Sequence, residues 1–255
     1  MANYKIVIPA RYSSSRLPGK PLIELSGKPM IQHTYERALE TGVKDIVIAT
    51  DDQRIYDVAK GFGADVVMTR PEHENGTERI AEVAEIKGWD KDDVLVNLQG
   101  DEPLVPKALI EQTAQGLLLN PEAGMSSICT AIENAEDAFD PNVVKVVLDG
   151  RGFAMYFSRA AIPWDRDLYK HSQDKITDIM PVYRHIGMYG YRVSFLQKYT
   201  RMSQCPIEQA ECLEQLRALW YGEKIHMGVT TEPPGHGVDT PEDVPRVEKL
   251  LANAK

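Results

Sequence analysis

Residues 93–103 read Asp93-Val94-Leu95-Val96-Asn97-Leu98-Gln99-Gly100-Asp101-Glu102-Pro103. A short, nearly continuous apolar run empties into a polar turn carrying two carboxylates. Such a run reads as a strand buried on both faces, the kind a parallel sheet uses. Three upstream stretches have the same character: Lys5 to Pro9, Asp45 to Thr50 and Asp65 to Thr69. Between them lie segments of helical period. Pro29 to Glu40 places Ile31, Tyr35, Ala38 and Leu39 on one face and can stop at Gly42. Ile55, Val58, Ala59 and Phe62 repeat at helical spacing before Gly63. Thr77 is placed to cap a helix carrying Ile80, Val83 and Ala84, and a further helix starts near Pro106. Alternation of this kind predicts an α/β fold: a doubly wound, Rossmann-like, mostly parallel sheet covered on both faces. Ligands of such sheets bind beyond the carboxyl ends of the strands, here Pro9-Ala10-Arg11, Thr50-Asp51 and Gln99-Gly100-Asp101.

Past about Ala123 the alternation loosens. Short strands are expected at Val143 to Leu148, Gly187 to Tyr191 and Ile225 to Val229. Asp165 to Tyr183 reads as an exposed loop, Pro206 to Tyr221 as one helix, and a last helix runs towards Leu251 with a start blurred by Pro245. The 255 residues suit one domain in two halves, about 1–125 and 126–255, with a smaller subdomain inserted.

The balance of 29 Lys and Arg against 38 Asp and Glu, net −9, argues against a nucleic-acid partner. It leaves room for a small anion held by a few placed cations. No apolar run approaches the roughly 18 residues of a membrane helix, so membrane insertion is not expected. Met1 to Lys5 does not open a signal peptide, and Cys129, Cys205 and Cys212 form no paired motif. Reduced thiols in a cytoplasmic protein are the expectation.

Four segments carry chemistry. Residues 9–21, P-A-R-Y-S-S-S-R-L-P-G-K-P, put two arginines, a lysine and three serines on the loop after the first strand. That donor set suits a polyphosphate, although neither a Walker A loop nor a dinucleotide fingerprint is present. N-G-T-E-R at 75–79 is explained by helix capping alone. N-L-Q-G-D-E-P at 97–103 offers carboxylates to a hard divalent cation, and G-V-D-T-P-E-D at 237–243 places Asp239 ahead of a helix start. No nucleophile triad and no zinc spacing is evident.

Together with Y-F-S-R-A-A-I-P-W at 156–164, R-H-I-G-M-Y-G-Y at 184–191 and L-E-Q-L-R at 213–217, these segments resemble the 3-deoxy-manno-octulosonate cytidylyltransferase (CMP-Kdo synthetase) family over nearly the whole chain and in the expected order. The resemblance implies the reaction CTP + Kdo → CMP-Kdo + diphosphate, Mg²⁺ dependence, a homodimer, and a cytoplasmic role in lipopolysaccharide synthesis. It makes the first half nucleotide-binding and the second half sugar-binding and dimerising. Pro9, Ala10, Arg11, Arg16, Lys20, Asn75, Gly76, Arg79 and Gln99 are then expected at the nucleotide, with Arg11, Lys20 and Asp101 catalytic. Asp101 and Asp239 are expected at the metal, and Arg159, His185, Tyr189, Glu214 and Gln215 at the sugar. Competing readings are the same reaction on 8-amino-Kdo or sialic acid and, more remotely, a non-catalytic CTP sensor. The S-R-L-P-G-K-P run at 15–21 argues against the sialic branch.

Overall fold

The computed structural model describes residues 3–13, 17–73 and 75–253. β1 (Lys5–Ala10) leads through a 3-10 turn at Lys20–Leu22 into a small hairpin, β2 (Glu24–Leu25) and β3 (Lys28–Pro29), then α1 (Met30–Leu39). Strict alternation follows: β4 (Ile46–Thr50), α2 (Gln53–Gly61), β5 (Asp65–Met68), α3 (Gly76–Ile86), β6 (Val94–Asn97) and α4 (Lys107–Leu118). The second half holds β7 (Met125–Ala131), α5 (Ala135–Phe139), β8 (Lys145–Leu148), β9 (Ala154–Ser158), α6 (Arg166–Tyr169) and β10 (Tyr183–Arg192). It closes with α7 (Val193–Tyr199), α8 (Pro206–Glu211), α9 (Gln215–Trp220), β11 (Ile225–Val229) and α10 (Asp243–Asn253).

Nine of these strands join one sheet in the order β11-β7-β10-β6-β1-β4-β5, with β8 on β10 and β9 on β8. β6, β1, β4 and β5 run parallel, and β10 enters antiparallel beside β6. The doubly wound α/β layer expected from the sequence is present, and the two halves share it. β1 alternates across the sheet. Ile6 and Ile8 pack under α1, α2 and α4, while Val7 packs under α3 and α7. Each such fully buried side chain contributes about 1.5–3 kcal/mol, so the two apolar layers dominate the fold's stability. Ala10 lies beside Thr50, and the Leu98 amide donates to Val7, so the loops after β1, β4 and β6 emerge along one sheet edge. Among the described residues, β8, β9 and α5 stand off the far side. There a small separate core of Ile132, Ala138, Val143 and Val182 forms.

Local chemistry corrects several expectations. Asn75, not Thr77, caps α3: its side-chain oxygen accepts from the Glu78 amide at 2.9 Å, and Thr77 is buried inside the first turn. Leu39 is exposed at the end of α1, not part of its buried face. The stretch 165–183 is not one loop but carries α6, capped by Asp165, and buries Tyr169 and Thr177. The strand expected at 187–191 is the last half of a ten-residue strand with a bulge between Ile186 and Tyr189. Pro245 sits in the first turn of α10, where a missing amide costs least.

The expected single helix over 206–221 is two. The chain breaks at Cys212, in the left-handed region at φ 52°, between α8 and α9. Helical apolar spacing runs straight through the break, and no glycine or proline marks it. The two short helices are bound across the break by Arg217, whose Nη2 and Nε donate to the Glu208 carboxylate at 2.6 and 2.8 Å, both side chains nearly buried. Removing one member strands a buried charge, which costs about 3–5 kcal/mol, whereas replacing both with apolar groups is often neutral. Arg217→Met is therefore expected to lower unfolding stability in urea by about that amount, and Glu208→Leu added to it should restore most of the loss. An unchanged midpoint for Arg217→Met would mean the pair is idle.

Candidate active site

The loop after β1 and the turn after β6 face each other. Gly100 permits the approach: a Cβ there would lie 2.9 Å from the Pro9 carbonyl oxygen. Between them is a cleft of about 340 Å³ lined by Pro9, Ala10, Arg11, Lys20, Gly100 and Asp101, with Gln99 at its margin. Five of the expected nucleotide residues and one expected metal ligand thus share one cavity wall. Arg16 lies outside the described residues.

A third segment completes this wall. The Val238 amide donates to the Asp101 carbonyl at 3.0 Å, which ties the 237–243 loop to the β6 turn. The Asp243 carboxylate accepts from the amides of Asp239 and Thr240 at 3.0 and 2.9 Å, fixing that loop's backbone, from which the exposed Asp239 side chain reaches Lys20. Lys20 Nζ then bridges the two expected metal ligands, donating to Asp101 Oδ2 at 2.5 Å and Asp239 Oδ1 at 3.1 Å. Burial opposes the charge on Lys20, but Asp101 and Asp239 more than offset it and hold its pKa above the ordinary value. Glu102 sits beneath them. Burial first, then Asp101 and Asp239, push its pKa up to about 7.

These residues fit a hard divalent cation. Two carboxylates converge within reach of one positive charge, and a third beside them has its pKa raised by burial first and by the two carboxylates second. Among the described residues no three Asp, Glu, His or Cys side chains cluster as a metal cage. Mg²⁺ in this position would draw further oxygen ligands from substrate phosphate and water, its usual preference.

A second cavity of about 390 Å³ adjoins the first through Gln99, which lines both. Its walls include Gly76, Asn97, Gly187, Tyr189, Glu214 and Gln215. The break at Cys212 is what brings Glu214 and Gln215 here. Tyr189 donates to Gln215 Oε1 at 3.1 Å. Glu214 has its pKa raised by burial, and it and Arg11 are close enough to influence each other's charge. Asn97 is buried and its amide oxygen has no protein partner, so it is ready to accept a hydrogen bond from a ligand. Sequence reasoning left Asn97 without a role, although a lone amide in an apolar strand was the available signal.

Four expected residues sit behind the cavities rather than in them. Arg79 is fully buried, donating to Asp51 at 2.7 Å and to Thr69, so it braces the ends of β4 and β5. Asn75 is committed to its cap, with a second contact to Glu78. Arg159 donates from Nε to the Glu211 carbonyl at 2.7 Å and from Nη1 to the Pro141 carbonyl at 3.0 Å, so it holds the turn that precedes Glu214. His185 lies under Gln215, and burial pushes its pKa down to about 3. A larger concavity of about 830 Å³ between α3 and α7 carries none of the expected site residues, and its Arg70 and His73 are already bound to Glu82.

Residues 5–225 match the family model described as cytidylyltransferase. A 3-deoxy-manno-octulosonate cytidylyltransferase of Thioalkalivibrio sulfidiphilus is 55% identical over 249 residues, covering 98% of this chain and 99% of that protein. One from Vibrio parahaemolyticus is 53% identical over 250 residues, covering 98% of each. The solved structure of a CMP:2-keto-3-deoxy-manno-octonic acid synthetase complexed with CTP superposes with a TM-score of 0.89 at 42% identity, covering all of both chains. With paired cavities at the expected strand ends and likeness along its full length, the chain belongs to the cytidylyltransferase family, among its 3-deoxy-manno-octulosonate members.

Proposed function

We propose that the chain transfers a cytidylyl group from CTP to Kdo, giving CMP-Kdo and diphosphate, in a Mg²⁺-dependent step. One observation carries the reading: the cleft lined by Lys20 and Asp101, with Asp239 bound to Lys20, shares Gln99 with a cavity walled by Tyr189, Glu214 and Gln215. A triphosphate in the first places its α-phosphorus towards an acceptor hydroxyl in the second. The anomeric hydroxyl oxygen forms the new bond to that phosphorus while the bond to the diphosphate breaks. No covalent intermediate on the protein is needed, in keeping with the missing nucleophile motif. Catalysis then rests on alignment and on charge placed where negative charge builds.

Arg11 and Lys20 supply that charge from the chain, and Pro9, Ala10 and Gly100 let phosphate approach the backbone. Asp101 and Asp239 would hold Mg²⁺, which when bound neutralises phosphate charge and orients the reacting groups. Arg159 acts on the sugar cavity from behind: its bonds to the Pro141 and Glu211 carbonyls hold the turn that leads into Glu214 and Gln215. A homodimer is supported by exposed Met155, Trp164, Ile179 and Trp220, all at or near β9, α6 and α9. Three free thiols suit a reducing cytoplasm, where CMP-Kdo for lipopolysaccharide would be made.

Diphosphate release with CTP and Mg²⁺, offered Kdo, 8-amino-Kdo and N-acetylneuraminate in parallel, tests the function. Release with Kdo is expected. Release with N-acetylneuraminate alone would move the chain to another sugar acid, and CTP binding without release from any of them would make it a sensor. Asp101→Asn is expected to lower kcat by about 10²-fold or more, the usual scale for one electrostatic group at a reacting centre, in a protein that still folds. Full activity at unchanged Mg²⁺ demand would remove Asp101 from the metal. Arg159→Ala should raise KM for Kdo by about tenfold or more, as expected for one lost charged hydrogen bond, with KM for CTP near the parent's. Equal rises in both would mean that the turn held by Arg159 does not serve the sugar cavity in particular.

A further inference from the structure

Below the Tyr189–Gln215 cavity lies a chain of buried polar groups whose first member neither the sequence motifs nor the proposed reaction uses. It starts at Ser127 on β7, which is 1% exposed. Ser127 Oγ lies 2.7 Å from the Met188 carbonyl oxygen, 3.1 Å from the Ile186 carbonyl oxygen and 2.9 Å from His185 Nε2. Both carbonyls belong to the bulge of β10, where the strand leaves register and Gly187 comes to line the cavity. His185 Nδ1 faces Gln215 Nε2 at 3.5 Å, and Gln215 Oε1 accepts from Tyr189. The rest of the His185 surroundings are rings: Phe157 at 4.9 Å and Tyr189 at 5.5 Å between centroids.

The directions of these bonds follow from counting protons. A hydroxyl has one proton to give, and carbonyl oxygens can only accept. Ser127 therefore donates into the bulge, with the 2.7 Å bond to Met188 the better made. Its remaining capacity towards His185 is as an acceptor, so the hydrogen between them sits on Nε2. The imidazole is neutral, since burial holds its pKa far below neutrality, so Nδ1 carries a lone pair. Only the amide nitrogen of Gln215 can satisfy that lone pair, which agrees with Gln215 Oε1 facing the Tyr189 hydroxyl. One amide hydrogen is thereby used, and the other is left for whatever occupies the cavity.

We propose that Ser127 is a positioning residue that sets the hydrogen-bond polarity of the acceptor-sugar cavity, fixing His185 as the Nε2–H tautomer and Gln215 as a donor to the ligand. The inference rests on the reading of this cavity as the sugar-acid site. It specifies the ligand's chemistry further: an acceptor such as a carboxylate or ring oxygen opposite Gln215. The Tyr189 oxygen, having given its proton to Gln215, is left to accept from a ligand hydroxyl. Without the Ser127 hydroxyl, His185 loses the acceptor for Nε2–H. The other tautomer would then turn N–H against the Gln215 amide and force the amide to present its oxygen instead.

Long-range proton–nitrogen NMR of the ligand-free full chain, with His185 assigned by its loss in His185→Gln, reads the tautomer directly. Nε2–H is expected in the parent from pH 5 to 9. Ser127→Ala is expected to shift His185 towards Nδ1–H and to raise KM for Kdo tenfold or more while KM for CTP stays within twofold. Ser127→Thr, which keeps the hydroxyl, should keep both the tautomer and the parent KM. Nδ1–H in the parent overturns the proposal, as does Ser127→Ala with an unchanged tautomer and unchanged KM. Should Ser127→Ala fail to fold, the parent and Ser127→Thr spectra decide alone: Nε2–H in both supports the proposal and Nδ1–H in either overturns it. The spectra need no substrate, so a failure of Kdo to turn over would count against the function and leave the tautomer readable.

Discussion

Lys20, Asp101 and Asp239 meet at one point from three remote segments, and the site depends on that meeting. Their association joins the loop after β1, the turn after β6 and the loop before α10. Two carboxylates so placed repel each other, and the ammonium offsets that repulsion. Lys20 is itself half-buried, so its charge is tolerable only because the carboxylates surround it. Each partner makes the position of the others affordable, and none would rest there alone. Burial, and then the same two carboxylates, raise the pKa of the Glu102 carboxyl beside them.

Around that corner the protein uses buried polar groups as braces and leaves a few side chains to face the cavities. Arg79 holds Asp51 and Thr69, Arg217 holds Glu208, and Arg159 holds the carbonyls of Pro141 and Glu211. In a low-dielectric interior such groups are costly unless fully partnered, so their partners fix backbone positions closely. The Glu208–Arg217 pair keeps α8 and α9 together across Cys212, and the break between them turns Glu214 and Gln215 towards the second cavity. The relay from Ser127 to Gln215 extends this to hydrogen-bond direction as well as position. In a family that joins a nucleotide to an acidic sugar, rigid donors and acceptors around the acceptor are what preorganised catalysis requires.

How much was legible follows from how local each feature is. The alternation of β1 through α4 was readable because apolar period and chain length decide it within a dozen residues. The loop after β1 and the turn after β6 were readable as ligand-facing because parallel strands align their carboxyl ends. Asn75 was misplaced by two residues because Asn and Thr are both good caps, and only the observed bond from Glu78 separates them. The break at Cys212 was missed because its apolar spacing is that of a continuous helix and a left-handed cysteine has no compositional sign. Arg79 and Arg159 were expected at the ligands, but their guanidinium groups lie behind the cavity walls, since the Asp51 carboxylate and the Pro141 and Glu211 carbonyls they meet are far away in sequence.

The sequence by itself determined the α/β class, the strand ends around which the clefts are built and, through ordered motifs, the family. All of these depend on periodicity and identity along the chain, which need no third dimension. Only the tertiary structure decided that Lys20 lies between Asp101 and Asp239, the latter 219 residues away. It alone decided that Gln99 links two cavities, that Arg159 serves a turn, and that Ser127 stands behind Gln215. These depend on which side chains meet across the sheet, how many protons each has to give, and how far water is excluded. Such quantities are set by packing between distant segments and leave no period in the chain.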